Sequence, residues 1–184
     1  MMLINMTGAT LAGLASRVIG NRRKPLILAG ACLVLAGSGG AWAALGGASH
    51  PPGALLAACG ALLALGASVS PLVCAAVKEV NPAPAAATAV GFYNGLSYLA
   101  VAVLTHGAGI VLDRFADRAV ATADALIYPA AAYRAILGGA TLLATAALVC
   151  AAFLRETYGI CVYGQPDAGT GPERAVGVHR HRVP

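Results

Sequence analysis

Charged side chains are scarce in this 184-residue chain: 10% of its residues are Asp, Glu, Lys or Arg, whereas 59% are hydrophobic. An ordinary soluble domain has about a quarter of its residues charged. Aromatic residues are also few, at 5%, and they are not interleaved with the basic residues along a polar face, as a nucleic-acid groove would require. The composition excludes a soluble domain and predicts a membrane protein. Its predicted partner is the lipid bilayer, and no nucleic acid is expected to bind.

Acidic side chains are absent from every long apolar stretch of the chain. An enzyme working within a membrane needs such groups at depth, either for acid and base chemistry or as metal ligands. The sequence also has no HExxH, GxSxG or GxxxxGK[ST] motif, and its five cysteines show no metal-ligand spacing. We therefore predict a protein that is not an enzyme, with no catalytic residues, no metal site and no cofactor.

Five apolar stretches follow one another, and four of them reach the roughly 20 residues that a helix needs to cross the hydrocarbon core. Because lipid offers the backbone no hydrogen-bond partner, each stretch is predicted to be a helix. The fold class is therefore all-α, a polytopic membrane helix bundle over residues 1–158. Residues 159–184 are polar and Gly-rich and are predicted to be a disordered cytoplasmic tail. The predicted spans are about 1–16, 25–45, 53–77, 84–112 and 131–154.

Basic residues cluster directly after the first apolar stretch, in "SRVIGNRRKP", and none precedes it. A cleaved signal peptide has the opposite order, so the first stretch is interpreted as a span. If this basic loop is cytoplasmic, alternating spans place all the Lys and Arg on that side except Arg114, Arg118 and Arg134. The positive-inside rule favours this topology, which makes the C-terminus cytoplasmic.

Polar side chains concentrate in the fourth span, whereas the second and fifth are bland. At 100° per residue, Asn94, Tyr98 and Thr105 fall within roughly 40° of one another. Because polar groups at membrane depth are costly, they usually face a cavity or a partner helix. This face therefore either lines a water-filled substrate pathway or hydrogen-bonds a neighbouring helix. The candidate pathway residues are Asn94, Tyr98, Thr105, Tyr93, Ser97 and His106.

His106 is the one histidine predicted to lie inside a span. A histidine there is able to relay a proton, because imidazole gains and loses one near neutral pH. The alternative is an ordinary hydrogen bond to water or to a neighbouring helix, since His106 lies near the end of its span and off the face of Asn94. His106 is therefore interpreted either as a proton relay or as an ordinary polar residue of the span.

Small residues and a helix break are the remaining features of the spans. Small residues let helix backbones approach closely, so they predict a tightly packed bundle. In the third span, Ser68, Ser70 and Pro71 predict a local break, either a hinge or a tolerated kink. The glycines singled out for close approach are Gly8, Gly13, Gly91 and Gly95.

Four segments together resemble the C-terminal half of a major facilitator superfamily transporter. They are similar, in order, to the cytoplasmic loop between the eighth and ninth helices, the loop after the tenth helix, the eleventh helix, and the twelfth helix with its exit. The resemblance covers residues 1 to about 158. The segments are "GLASRVIGNRRKPLIL" (13–28), "VKEVNP" (77–82), "GFYNGLSYLAVAVLTHGAGIVLD" (91–113) and "AAYRAILGGATLL…FLRET" (131–157).

This resemblance implies secondary active transport of an unknown small solute by alternating access, across the inner membrane of a bacterium. In the family the eleventh helix borders the cavity, and here the fourth span corresponds to it. The basic loop would act as a cytoplasmic latch and topology anchor, with Arg17 standing where the family has Asp. The loop residues that correspond to the family motif are Gly13, Arg17, Gly20, Arg22, Arg23 and Lys24.

A complete family member has twelve helices in two halves, with its substrate bound between the halves. Since about five helices are predicted here, the chain is expected to be a C-terminal fragment whose partner would be the missing N-terminal half. The alternative hypothesis is a non-transporting membrane remnant or interaction subunit. A further reading frame encoding the other helices would separate these two hypotheses.

Overall fold

The computed structural model describes residues 2–47, 51–122 and 125–161, and in this part of the chain the fold is an all-α bundle, as predicted. A single turn of 3-10 helix and an antiparallel pair of two-residue strands lie between the last two helices. Of the predicted tail, residues 162–184 lie outside the described residues. The elements are α1 (Met2–Val18), α2 (Lys24–Gly47), α3 (Gly53–Ala67), α4 (Ser70–Glu79), α5 (Ala83–Asp113), β1 (Val120–Ala121), β2 (Leu126–Ile127) and α6 (Ala130–Ala152).

Four helical segments are long and apolar enough to cross a membrane, whereas about five spans were predicted. They contain 24, 27, 31 and 23 residues, or about 35 to 46 Å at 1.5 Å per residue. The first predicted span forms α1, whose 17 residues are fewer than the roughly 20 needed to cross the hydrocarbon core. The four segments are Lys24–Gly47, Gly53–Glu79, Ala83–Asp113 and Ala130–Ala152.

The third span is broken where the sequence predicted it, since α3 ends at Ala67 and α4 begins at Ser70. Pro71 has no N–H to donate, and its ring would clash with the carbonyl of Ala67 in a continuous helix. The buried Ser68 hydroxyl donates a hydrogen bond to the Leu65 carbonyl and so closes the end of α3. The break is therefore a kink in one membrane-spanning segment.

Helix α2 is the centre of the bundle, with α3 packed on one side and α6 on the other. Its contact with α3 requires glycine, which has no side chain to separate the two backbones. A Cβ on Gly66 would lie 2.7 Å from the Gly30 carbonyl oxygen and 2.9 Å from the Val34 nitrogen. On the other side, the Arg134 guanidinium of α6 lies 5.1 Å from the Trp42 ring centroid. These two contacts hold three spans together.

The glycines that make these close contacts are not those singled out in the sequence. Among the predicted four, only Gly8 meets another helix, since its Cβ would lie 2.7 Å from the Ser68 hydroxyl oxygen. A Cβ on Gly13, Gly91 or Gly95 would meet nothing within 4 Å in the described residues. Within the described residues these three glycines therefore make no close contact with another helix, because their faces are turned away from the bundle.

Candidate functional site

The polar face of α5 points away from the rest of the bundle. Helix α5 has no buried residue, and it rests on α4 and on part of α6. Asn94, Tyr98 and Thr105 are all exposed, Tyr98 to 77%. In the described part of the chain, none of the three forms a side-chain hydrogen bond. The structure thus leaves these three groups together and without partners.

The other three candidate pathway residues of α5 lie on different sides of the helix. Tyr93 and Ser97 are half-buried, about 100° and 60° around the helix from Asn94, and the Ser97 hydroxyl donates to the Tyr93 carbonyl at 2.8 Å. His106 is exposed and lies about 120° from Asn94 in the opposite direction. Three of the six candidates therefore share one face of α5, and the other three lie beside it.

Two apolar grooves flank α6, and neither includes the polar face. One groove of about 450 Å³ lies among α2, α4 and α6, and another of about 620 Å³ lies between α5 and α6. On α5 the second is lined by Val103, Leu104, Gly107, Ala108 and Val111. None of the six candidate pathway residues lines either groove.

A second polar site lies at the basic end of the bundle, formed by residues 16–24, 78–81 and 153–161. Its centre is Arg23, whose Nε and Nη2 donate to Glu79 Oε1 at 3.2 and 3.0 Å. These two side chains are 16% and 12% exposed. Arg23 Nη1 also donates to the fully buried Ser16 hydroxyl at 2.7 Å. One guanidinium therefore joins the end of α1 to the end of α4.

The chain that follows α6 returns to the same centre. Glu156 accepts hydrogen bonds from the backbone N–H groups of Arg23, at 2.7 Å, and Lys24, at 3.2 Å. A carboxylate there satisfies free donors at the start of α2 and interacts favourably with the helix dipole. The buried Thr157 hydroxyl donates to Glu79 Oε2. Four segments of the chain thus meet in one cluster at the basic end.

The turn between α1 and α2 brings Arg23 into this cluster. Gly20 and Asn21 have φ of 75° and 57°, a left-handed conformation that glycine and asparagine tolerate best. The Asn21 N–H donates to the Ser16 carbonyl at 2.7 Å, which closes the turn. After the turn, Arg22 lies 5.7 Å from the centroid of the Tyr158 ring. The glycine in the loop motif therefore has a backbone function.

The structure divides the six loop residues predicted from the family motif. Gly20, Arg22, Arg23 and Lys24 belong to the turn and its cluster, whereas Arg17 is exposed and the Gly13 position is open. The site also contains residues that were not predicted from the sequence. Glu79 and Glu156 are the only carboxylates at this end of the described chain, a signal that could have marked them as partners of the basic loop. The residues missed are Ser16, Glu79, Glu156 and Thr157.

No family model matches this chain, and no curated protein or solved structure matches it significantly. The resemblance to the major facilitator superfamily therefore rests on the four sequence segments alone. Among the described residues, no group of three His, Cys, Asp or Glu side chains is placed to hold a metal ion.

The two sites differ in chemistry as well as in position. The cluster at the basic end is internally satisfied, since no buried side-chain N or O in the described residues lacks a hydrogen-bond partner. The α5 face has neutral donors and acceptors that no described residue binds: the amide of Asn94 and the hydroxyls of Tyr98 and Thr105. The cluster at the basic end is suited to holding helices together, and the polar face of α5 is suited to binding water or a ligand.

Proposed function

We propose that this chain is the C-terminal part of a secondary active transporter of the major facilitator type, which moves a small solute by alternating access. The observation that supports this most is the uncovered polar face of α5. Leaving an amide and two hydroxyls in hydrocarbon without partners costs several kcal/mol, at about 2 kcal/mol or more per group. A second half packed over this face would enclose a wet pathway and remove that cost.

The cluster at the basic end supports the same proposal from the mechanical side. Arg23 and Glu156 tie α1, α2, α4 and the end of α6 to one another. Alternating access requires each half to rock largely as a rigid body, and such ties favour rigid movement. By the positive-inside rule this end faces the cytoplasm, where the cluster would act as the latch of its half.

A non-transporting interaction subunit is the second candidate function. The observation in its favour is that none of the six candidate pathway residues lines either of the two apolar grooves beside α6. In that case another protein would cover Asn94 and Tyr98 directly, and the face would be dry. The two candidates therefore differ in whether water reaches the polar face of α5.

Cysteine labelling in native membranes tests this difference. In a background whose five cysteines are replaced by alanine, we expect Asn94→Cys and Thr105→Cys to react with a charged maleimide at least about tenfold faster than Leu96→Cys. Leu96 is a matched control, because it is exposed, lies two residues from Asn94 and faces the opposite side of the helix. The expected difference arises because a thiol in hydrocarbon does not ionise and a charged reagent does not enter lipid.

Equal protection at all three positions would contradict a water-filled pathway and favour the interaction subunit. Equal labelling at all three would show that α5 is not a membrane span with one wet face. Labelling of Leu96→Cys after the membranes are dissolved in denaturing detergent supplies the control, since it shows that the thiol is present and reacts once water reaches it.

A further inference from the structure

The apolar groove among α2, α4 and α6 has no assigned occupant. Its volume of about 450 Å³ lies within the roughly 300–1,000 Å³ typical of ligand sites. No charged side chain lines it, and the segments that form it are long and apolar enough to span a membrane. The walls include Ile27 and Ala31 of α2, Val73 and Val77 of α4, and Ala147 and Ala151 of α6.

Hydrocarbon is the chemistry that fits this groove. Ala147 is exposed and Ala151 half-buried, so the groove opens to the surroundings of the helices and is not sealed. At this depth the surroundings are acyl chains, because the bilayer core contains no water to fill an apolar space. A single acyl chain can therefore enter the groove from the side without opening the bundle.

One end of the groove lies at the basic end of the bundle. Its lining residues Val77 and Leu154 are followed directly by Lys78 and Arg155, which are both exposed. The Glu79 carboxylate beside Lys78 is taken by Arg23 and Thr157. Lys78 and Arg155 are therefore exposed cations that directly follow two lining residues of the groove, and neither forms an ion pair within the described residues.

The carboxylate beside Arg155 is also engaged elsewhere. Glu156 accepts hydrogen bonds from the N–H groups of Arg23 and Lys24 at the start of α2. Exposed cations next to a membrane attract anionic lipid headgroups, and each Lys or Arg strengthens that attraction. The cations Lys78 and Arg155 are thus complementary to an anionic headgroup, and the apolar interior of the groove is complementary to the acyl chain of the same lipid.

We propose that this groove binds one anionic phospholipid, with an acyl chain between α4 and α6 and the phosphate headgroup against Lys78 and Arg155. The site lies on a different side of the bundle from the polar face of α5. The proposal does not depend on transport, and it holds equally for an interaction subunit.

Native mass spectrometry of the full chain in detergent tests the proposal with two lipids that share the same acyl chains, phosphatidylglycerol and phosphatidylcholine. We expect the chain to retain phosphatidylglycerol about tenfold more strongly. Ala147→Leu fills the groove and should abolish this retention. Ala146→Leu adds the same atoms at the neighbouring exposed position outside the groove and should retain the lipid like the unchanged chain.

Headgroup recognition has its own matched pair of variants. Replacing both Lys78 and Arg155 by glutamine should reduce phosphatidylglycerol retention to the level of phosphatidylcholine. The same change at Arg114 and Arg118, which are exposed near the opposite end of α5, should have no effect. Ala147 also lines the groove between α5 and α6, whereas Ala31 lines only the groove among α2, α4 and α6. Ala31→Leu therefore shows which of the two grooves holds the lipid, and it gives a second test if Ala147→Leu fails to fold.

Two results would overturn the proposal. Equal retention of the two lipids by the unchanged chain would exclude recognition of an anionic headgroup. Equal retention by Ala147→Leu and Ala146→Leu would exclude the groove as the site and would leave it to a helix of a partner or of a second copy. Cross-linking from a cysteine at position 147 would then report which of these helices is bound.

Discussion

Replacing Arg23 by alanine is expected to lower the free energy of unfolding by about 3 kcal/mol, the cost of breaking a buried ion pair from one side. The variant leaves the Glu79 carboxylate, 12% exposed, without its cation. It also leaves the fully buried Ser16 hydroxyl without the guanidinium that donates to it. Arg23→Lys should lose less, because it keeps the charge and loses the forked geometry that reaches both partners.

Unfolding by a graded increase of denaturing detergent in mixed micelles, followed by circular dichroism, measures this loss. Arg22→Ala is the matched control, since Arg22 is the neighbouring cation, is exposed and lies 5.7 Å from the centroid of the Tyr158 ring, with no ion pair to a described residue. An exposed cation of this kind contributes little to stability. Equal losses for the Arg22 and Arg23 variants would show that the cluster does not hold the segments together.

Replacing Gly66 by alanine is expected to destabilise the bundle by about 2 kcal/mol. The new Cβ would lie 2.7 Å from the Gly30 carbonyl oxygen and 2.9 Å from the Val34 nitrogen. Both atoms belong to the backbone of α2, so they cannot rotate away as a flexible side chain would. The two helices must separate, and the contacts along their shared interface are weakened with them.

Gly95→Ala is the control for this substitution. Gly95 lies in α5, and its Cβ would meet nothing within 4 Å in the described residues. The variant should be neutral or stabilise the chain by up to about 1 kcal/mol, because alanine is the better helix former. The same detergent titration measures both variants. A larger loss for Gly95→Ala than for Gly66→Ala would contradict the packing of α2 against α3.

The helical architecture was predictable because a membrane imposes it locally. A long apolar stretch has to be a helix in lipid, and the break near Ser68 follows from Pro71 alone. Which glycine meets which helix is not a local property. Gly66 and Gly95 both lie in apolar, Gly-containing helices, and only the three-dimensional arrangement shows that the first faces α2 and the second faces outward.

In the candidate sites, too, contacts within one helix were predictable and contacts between distant segments were not. Helical periodicity was enough to group Asn94, Tyr98 and Thr105, since their spacing lies within one helix. Periodicity could not pair Arg23 with Glu79 or Glu156, because these residues are 56 and 133 positions apart along the chain. Counting charges along the sequence shows only an excess of cations at this end. The folded structure shows that Glu79 and Glu156 bind the basic loop.

Two-sided accessibility of Asn94 tests the central claim most directly, because alternating access opens one site to each side of the membrane in turn. The measurement is the labelling of Asn94→Cys by a membrane-impermeant charged maleimide in right-side-out and in inside-out vesicles, with Leu96→Cys as the reference in both. We expect Asn94→Cys to react in both preparations and Leu96→Cys in neither. Labelling of Asn94→Cys from only one side, or from neither, would contradict transport by alternating access.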